Sequence, residues 1–147
     1  MKIGIIGTGT MGNGIAQAFA QGGYEVVMKD LSDELLQRAV KNIEKSLSKL
    51  VEKEKISEND KTTALGRIRT TLSYDDVKDC GLVVEAIAEN MELKKRVFRE
   101  LDEACNADCI LATNSSSLST KRIMPVKITI FLPSAFEFTS SSRDILK

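Results

Sequence analysis

The stretch Gly7-Thr8-Gly9-Thr10-Met11-Gly12 decides the fold of this chain. It follows the apolar segment Lys2–Ile6 and precedes an alanine-rich segment over residues 11–22, which we predict as a strand and a helix. A second apolar strand is predicted over Glu25–Lys29, and Asp30 follows it directly. A strand, a G-x-G-x-x-G loop, a helix, a strand and an acid in this order predict a dinucleotide-binding βαβ unit.

Each glycine of this loop has a predicted task. Gly7 allows the tight turn, Gly9 lets the backbone approach a pyrophosphate, and Gly12 lets the helix pack closely on the strand. The first amides of the helix, at Thr10 and Met11, then face the pyrophosphate, where the helix dipole favours negative charge. We therefore expect these five residues to bind the cofactor.

Asp30 indicates which dinucleotide is bound. Its carboxylate is placed to accept hydrogen bonds from the adenosine ribose and would repel a 2′-phosphate. Leu31 stands where an arginine for that phosphate would be needed, and Lys29 belongs to the strand. The sequence predicts NAD rather than NADP.

Length and composition are those of one globular domain. The chain has 147 residues, and its 21 basic side chains balance its 21 acidic ones, so no overall charge favours nucleic acid or a membrane surface. No apolar stretch approaches the ~20 residues of a spanning helix, and the N-terminus is not typical of a signal peptide. The cysteines Cys80, Cys105 and Cys109 lack C-x-x-C spacing, which favours free thiols in a reducing cytoplasm over a metal or redox site.

A helical hairpin is predicted after Asp30. Ser32 or Asp33 caps a long helix whose apolar residues recur every three or four positions as far as Val51. This stripe is long for a crossover helix, so we expect the helix to project beyond the sheet. A second helix is predicted from Ser57 to about Gly66.

The rest of the chain continues the alternation of strands and helices. We predict strands over residues 68–72, 82–87 and 109–112 and a helix over residues 91–104. The order predicts an α/β fold of the Rossmann type, with a doubly wound parallel sheet and the hairpin inserted in it. Ligands bind such sheets at the carboxyl ends of the strands. Here those ends are the glycine-rich loop, Asp30, residues 88–90 and residues 113–117.

Three of these strand ends carry a family resemblance. Residues 5–16 (IIGTGTMGNGIA), 83–90 (VVEAIAEN) and 111–119 (LATNSSSLS) resemble the N-terminal domain of the NAD-dependent 3-hydroxyacyl-CoA dehydrogenases, among which the bacterial 3-hydroxybutyryl-CoA dehydrogenases are most similar. The resemblance covers residues 1–119, which we predict as the NAD-binding domain, and leaves residues 120–147 as a divergent tail. Hydroxyisobutyrate-type dehydrogenases share the Gly-x-Gly-x-Met-Gly run but lack the other two motifs.

The resemblance implies roles for further residues. Glu89 and Lys94 match positions that contact the nicotinamide end of NAD, although a solvated charged pair is the alternative. Ser116 matches the catalytic serine that hydrogen-bonds the substrate's 3-oxygen and lies at the cofactor, while a serine run after a strand is otherwise an ordinary helix cap. Ser46 and Lys53 match positions that touch coenzyme A, and the lysines of this helix could equally form its solvated side.

The resemblance also implies a reaction. In the family a histidine, held by a glutamate, takes the proton of the 3-hydroxyl as hydride passes to the nicotinamide, which yields a 3-ketoacyl-CoA in fatty acid or butyrate metabolism. That histidine belongs to a His-Phe-Phe-Asn-Pro segment, and these 147 residues contain no histidine. A helical C-terminal domain, which shapes the acyl pocket and forms the dimer in full-length relatives, is also missing from them.

Two interpretations of the tail remain open. Either residues 120–147 derive from a frameshift or truncated gene and were not selected to fold, or residues 126–132 replace an edge strand. Val126, Ile128, Ile130 and Leu132 alternate with Lys127 and Thr129, a pattern typical of a half-buried strand. We favour truncation. The chain is then an oxidoreductase by family whose isolated form is inactive, and the alternatives are an NAD-binding module without turnover and an inert fragment.

Overall fold

The structure is a computed structural model that describes residues 1–114 and 129–131. Within these ranges the chain forms strands and helices in an order that confirms the predicted α/β fold. The strands are β1 (Lys2–Ile6), β2 (Glu25–Lys29), β3 (Ile68–Thr71), β4 (Leu82–Glu85), β5 (Ile110–Thr113) and β6 (Thr129–Phe131). The helices are α1 (Thr10–Gln21), α2 (Asp33–Glu52), α3 (Glu58–Gly66) and α4 (Met91–Ala104), with a 3₁₀ turn over Tyr74–Val77.

The described strands form one parallel sheet in the order β3-β2-β1-β4-β5-β6. The chain moves outward from β1 to β3 and then returns to pair β4 with the other side of β1. Ile5 lies in the middle of this arrangement, opposite Met28 on one side and Val84 on the other. Because the strand order reverses between β1 and β4, a crevice opens at their carboxyl ends, where parallel sheets bind ligands.

Two apolar layers cover the sheet. Helices α1, α2 and α3 pack on one face, to which α2 contributes a buried stripe. Helix α4 and the 3₁₀ turn pack on the other face, against a second cluster that includes Val77, Val83 and Phe98. The central strands β1 and β4 are buried on both faces over residues 3–6 and 82–85, whereas strand β3 exposes Arg69 and Thr70. The stripe of α2 consists of Leu36, Ala39, Ile43 and Leu47.

Local hydrogen bonds explain where the hairpin helices begin. Ser32 caps α2 by accepting a hydrogen bond from the Leu35 N–H, so Asp33 is the first helical residue. At α3 the Ser57 and Asp60 side chains each accept a hydrogen bond from the other residue's backbone N–H, both at 3.0 Å. This capping box satisfies two of the amides that a helix start leaves unpaired.

Strand boundaries differ slightly from those predicted. Strand β4 ends at Glu85. The Ala86 N–H still donates to the Ile6 carbonyl of β1, but the Ile87 N–H donates to the Glu85 side chain instead of to a neighbouring strand. Strand β5 begins at Ile110, since the Cys109 N–H closes a turn onto the Asn106 carbonyl.

Strand β6 lies parallel to β5, with Leu111 opposite Thr129 and Thr113 opposite Phe131. It falls within residues 126–132, which the second interpretation of the tail treats as an edge strand. Residues 115–128 and 132–147 lie outside the described part of the chain. The origin of the tail stays a prediction.

Candidate cofactor site at the carboxyl ends of β1 and β4

The glycine-rich loop is closely packed at its first and third glycines. Gly7 has φ +96°, and a Cβ at this position would lie 2.7 Å from the Ala86 carbonyl oxygen. A Cβ on Gly12 would lie 2.0 Å from the Gly7 carbonyl oxygen. No larger side chain fits at either place, so the tight turn and the close approach of α1 to β1 both depend on glycine.

Gly9 has the opposite environment. It precedes α1 with extended backbone angles, and no atom lies within 4 Å of the place that its Cβ would occupy. The first turn of α1, from Thr10 onward, begins at this open space with amides that have no partner inside the helix. A negatively charged group fits here, because a helix N-terminus attracts anions and glycine lets them approach the backbone.

Asp30 is fixed beside the loop. Its Oδ2 accepts hydrogen bonds from the Thr8 N–H at 2.9 Å and from the Thr8 hydroxyl, and its Oδ1 accepts one from the Leu31 N–H at 2.7 Å. Lys29 does not neutralise it, since the Lys29 ammonium lies over the Tyr74 ring, 4.0 Å from its centroid. Burial and a hydrogen bond with Glu100 raise the pKa of Tyr74, so this ring stays neutral.

A cleft of about 510 Å³ joins these features. One wall is the glycine-rich loop with Asp30 and Leu31, and the opposite wall is formed by the residues after β4 and the start of α4. Its size suits a small molecule or a cofactor. The second wall is apolar and consists of Ala86, Ile87, Ala88, Leu93 and Val97.

A buried ionic cluster lies at the ends of β4 and β5. Glu85 is 0% exposed, and its Oε1 accepts hydrogen bonds from the Lys94 ammonium at 2.9 Å and from the Ile87 N–H at 2.7 Å. Its Oε2 accepts a hydrogen bond from the Thr113 hydroxyl at 2.7 Å. Sequence reasoning missed Glu85 because it treated residues 82–87 as one apolar strand. The available signal was an acid inside an otherwise apolar buried run.

The other predicted site residues have varied positions. Lys94 is 1% exposed, and Glu89, with most of its side chain in solvent, lies 3.9 Å from the Lys94 ammonium. Ser46 is half-buried on α2, and Lys53 is the exposed residue that caps the C-terminus of that helix. Ser116 lies outside the described residues. Thus the structure brings Glu89 and Lys94 together, close to the cleft, and leaves Ser46 and Lys53 on the hairpin.

The strand order, the glycine packing and the acid after β2 define a Rossmann-type dinucleotide-binding domain. Comparison with known proteins gives a narrower assignment. The NAD-binding domain of 3-hydroxyacyl-CoA dehydrogenase matches residues 2–127, and this chain belongs to that family. The predicted family and its cofactor, NAD, are confirmed.

Similar proteins include two bacterial enzymes. A 3-hydroxybutyryl-CoA dehydrogenase of Clostridioides difficile is 44% identical over 123 residues, which are 84% of this chain and 44% of that protein. A probable 3-hydroxybutyryl-CoA dehydrogenase of Deinococcus radiodurans is 48% identical over 118 residues, which are 80% of this chain and 42% of that protein. This chain therefore spans less than half the length of these relatives.

Solved structures agree with this assignment. The crystal structure of (S)-3-hydroxybutyryl-CoA dehydrogenase from Ralstonia eutropha superposes with a TM-score of 0.81 at 45% identity, over 83% of this chain and 43% of that one. Among the residues described above, no helix has the length and apolar character needed to cross a membrane.

Proposed function

We propose that this chain is the NAD-binding half of an oxidoreductase that interconverts 3-hydroxyacyl-CoA and 3-ketoacyl-CoA. The observation that carries the proposal is the open space at Gly9, which faces the start of α1 and lies beside the fixed carboxylate of Asp30. The pyrophosphate of the cofactor would occupy the open space at Gly9, and the adenosine ribose hydroxyls would donate hydrogen bonds to the Asp30 carboxylate. Bound NAD supplies the hydride acceptor.

The remaining cofactor contacts lie across the cleft. Glu89 and Lys94 are on the β4–α4 side, where the nicotinamide end lies if the pyrophosphate sits at Gly9. Ser116 follows β5 by three residues, and we assign its hydroxyl to the cofactor and to the 3-oxygen of the substrate. A hydroxyl there stabilises negative charge that develops on this oxygen.

Acyl-CoA is the proposed substrate, with Ser46 and Lys53 of the hairpin as contacts for coenzyme A. The names of the relatives from Clostridioides difficile and Ralstonia eutropha support this class. We propose that the protein acts in the cytoplasm, because its cysteines, including the buried Cys80, suit a reducing compartment. Homo-oligomer formation is proposed only for full-length relatives.

These residues alone are proposed to bind NAD without turnover. No histidine occurs among them, and loss of a general base costs about 10²–10⁴-fold in rate. The chain therefore acts as a cofactor-binding module unless another polypeptide segment supplies the proton carrier.

Calorimetric titration of the chain with NADH, NADPH and ADP-ribose tests the proposal. We expect NADH and ADP-ribose to bind and NADPH to bind at least about tenfold more weakly, a difference of about 1.4 kcal/mol. Absence of NADH binding by the folded chain would refute the proposed function. Reduction of acetoacetyl-CoA, followed by NADH absorbance, should be undetectable, and measurable turnover would contradict the assignment as a binding module.

A further inference from the structure

Glu85 connects one wall of the cleft to the segments packed behind it. Through its side chain it holds the Lys94 ammonium of α4, the Ile87 N–H of the following loop and the Thr113 hydroxyl at the end of β5. Its main-chain carbonyl also accepts the Asn114 N–H at 2.9 Å. Glu85 is thus hydrogen-bonded to helix α4, to the loop that follows β4 and to the end of β5.

Stability alone is a weak explanation for this cluster. Glu85, Lys94 and Thr113 are each at most 1% exposed, so both charges have lost their hydration. Replacement of a buried ion pair by apolar side chains of similar volume is often neutral or stabilising. The neighbouring positions of β4 are apolar, and an apolar side chain at residue 85 would continue that core.

The location of the cluster points to the cofactor. Glu85 is the last residue of β4, beside the place where the strand order reverses. The loop that it fixes carries Glu89, and Lys94, which it binds directly, lies 3.9 Å from Glu89. The adenosine side of the cleft has its own hydrogen bonds, between Thr8 and Asp30, which do not involve Glu85.

We propose that Glu85 is a positioning residue for the nicotinamide half of NAD. It holds the Lys94 ammonium and the loop over residues 86–90 in the geometry that the nicotinamide ring requires, and Thr113 holds the Glu85 carboxylate in turn. This inference rests on the proposed function. It predicts that the cluster affects NADH binding and leaves unchanged the binding of ADP-ribose, which keeps both riboses but lacks the nicotinamide ring.

The experiment compares NADH and ADP-ribose affinities in two variants. Glu85→Gln removes the charge that holds Lys94, and we expect NADH to bind about tenfold more weakly, as for loss of one charge-assisted hydrogen bond. Thr113→Val removes the hydroxyl that orients Glu85 but keeps the ion pair between Glu85 and Lys94. We therefore expect this variant to fold even if Glu85→Gln does not. A smaller loss of NADH affinity is expected for Thr113→Val.

Thr71→Val is the matched control. Thr71 also donates its hydroxyl to a carboxylate, that of Asp76, but at the edge strand β3 and outside the cofactor cleft. The Thr71→Val variant should leave the affinities for NADH and for ADP-ribose unchanged. Amide exchange of Ile87, measured by NMR without ligand, should become faster in Glu85→Gln, which reports on the loop independently of the cofactor.

The outcomes separate two failures. If wild type binds neither ligand, the proposed function is wrong and the role of Glu85 is wrong with it. If wild type binds both, and the variants lose NADH and ADP-ribose affinity by the same factor or lose neither, the cluster is structural only. In that case the proposed function stands and the positioning role is overturned.

Discussion

At the scale of single residues, Asp30 shows how the cofactor preference is prepared before any ligand arrives. Its carboxylate is held by the Thr8 N–H and hydroxyl and by the Leu31 N–H. A carboxylate that is already oriented loses little conformational entropy when the ribose hydroxyls donate to it, and preorganisation of this kind increases affinity. The same fixed negative charge repels a 2′-phosphate.

Removal of this carboxylate should change cofactor preference. We expect Asp30→Ala to weaken NADH binding about tenfold, because the ribose hydroxyls lose their hydrogen bonds to the carboxylate. NADPH binding should weaken less, because its 2′-phosphate is no longer repelled by that carboxylate. Asp108→Ala is the matched control, since it removes the same charge next to the start of β5. Fluorescence titration measures both affinities, and equal losses would contradict the ribose assignment.

Glycine in α1 should be required at one position and dispensable at another. Gly12→Ala places a methyl group 2.0 Å from the Gly7 carbonyl oxygen, and we expect it to lower the free energy of unfolding by about 1–3 kcal/mol or to prevent folding. Gly14→Ala is the control in the same helix, because its Cβ meets no atom within 4 Å. It should raise stability by up to about 1 kcal/mol, since alanine favours helix. Urea denaturation tests both, and equal effects would refute the packing argument.

At the scale of elements, capping explains how the sequence directs the hairpin. Helix α2 begins after Ser32, and α3 begins after Ser57 with its reciprocal bonds to Asp60. Helix α4 begins after Asn90, whose side chain accepts the Leu93 N–H. These signals are local, so the bounds predicted for α4 match the structure and the start predicted for α3 is close to it.

The capping box makes α3 sensitive to acid. The Ser57 backbone N–H, and then the hydrogen bond with the Ser57 side chain, lower the pKa of Asp60 below its ordinary value of 3.8. A carboxyl whose pKa is lower in the folded state stabilises the fold above pH 3.8, and this contribution is lost as the pH falls through the folded pKa. Asp60→Asn should therefore be less stable than wild type at pH 7, and the difference should shrink as the pH falls below 3.8.

Urea denaturation between pH 7 and pH 3 measures this difference. Ser57→Ala is the companion variant, and loss of its N-cap should cost about 1 kcal/mol at pH 7. A stability difference between wild type and Asp60→Asn that stays constant across the pH range would show that the box does not stabilise the helix through the ionised carboxylate.

At the scale of the whole molecule, the sheet order creates the cleft. Strand β1 lies between β2 and β4, so the glycine-rich loop faces Asp30 on one side and the residues after β4 on the other. A dinucleotide bound there contacts both halves of the sheet. Because the dinucleotide binds only the folded domain, its binding increases the free energy of unfolding of the domain as one cooperative unit.

NADH should raise the melting temperature of the chain in one transition. At about 100 times its dissociation constant, a ligand that binds only the folded state adds about 2.7 kcal/mol, which corresponds to roughly 5–10 °C for a domain of this size. Differential scanning calorimetry measures the shift, and Asp30→Ala at the same NADH concentration should shift less. A second transition that NADH does not move would contradict a single cooperative unit.

The sequence by itself determined the βαβ unit, the parallel sheet, the family and NAD, because these depend on periodic apolar positions, glycines and caps that act over a few residues. The tertiary structure decided what lies around the key side chains. It brought Thr8 within hydrogen-bonding distance of Asp30 and paired the Lys94 ammonium with the Glu85 carboxylate, and it ended β4 at Glu85. These contacts join residues from separate strands and helices, and only the packing of the sheet and α4 brings them within hydrogen-bonding distance.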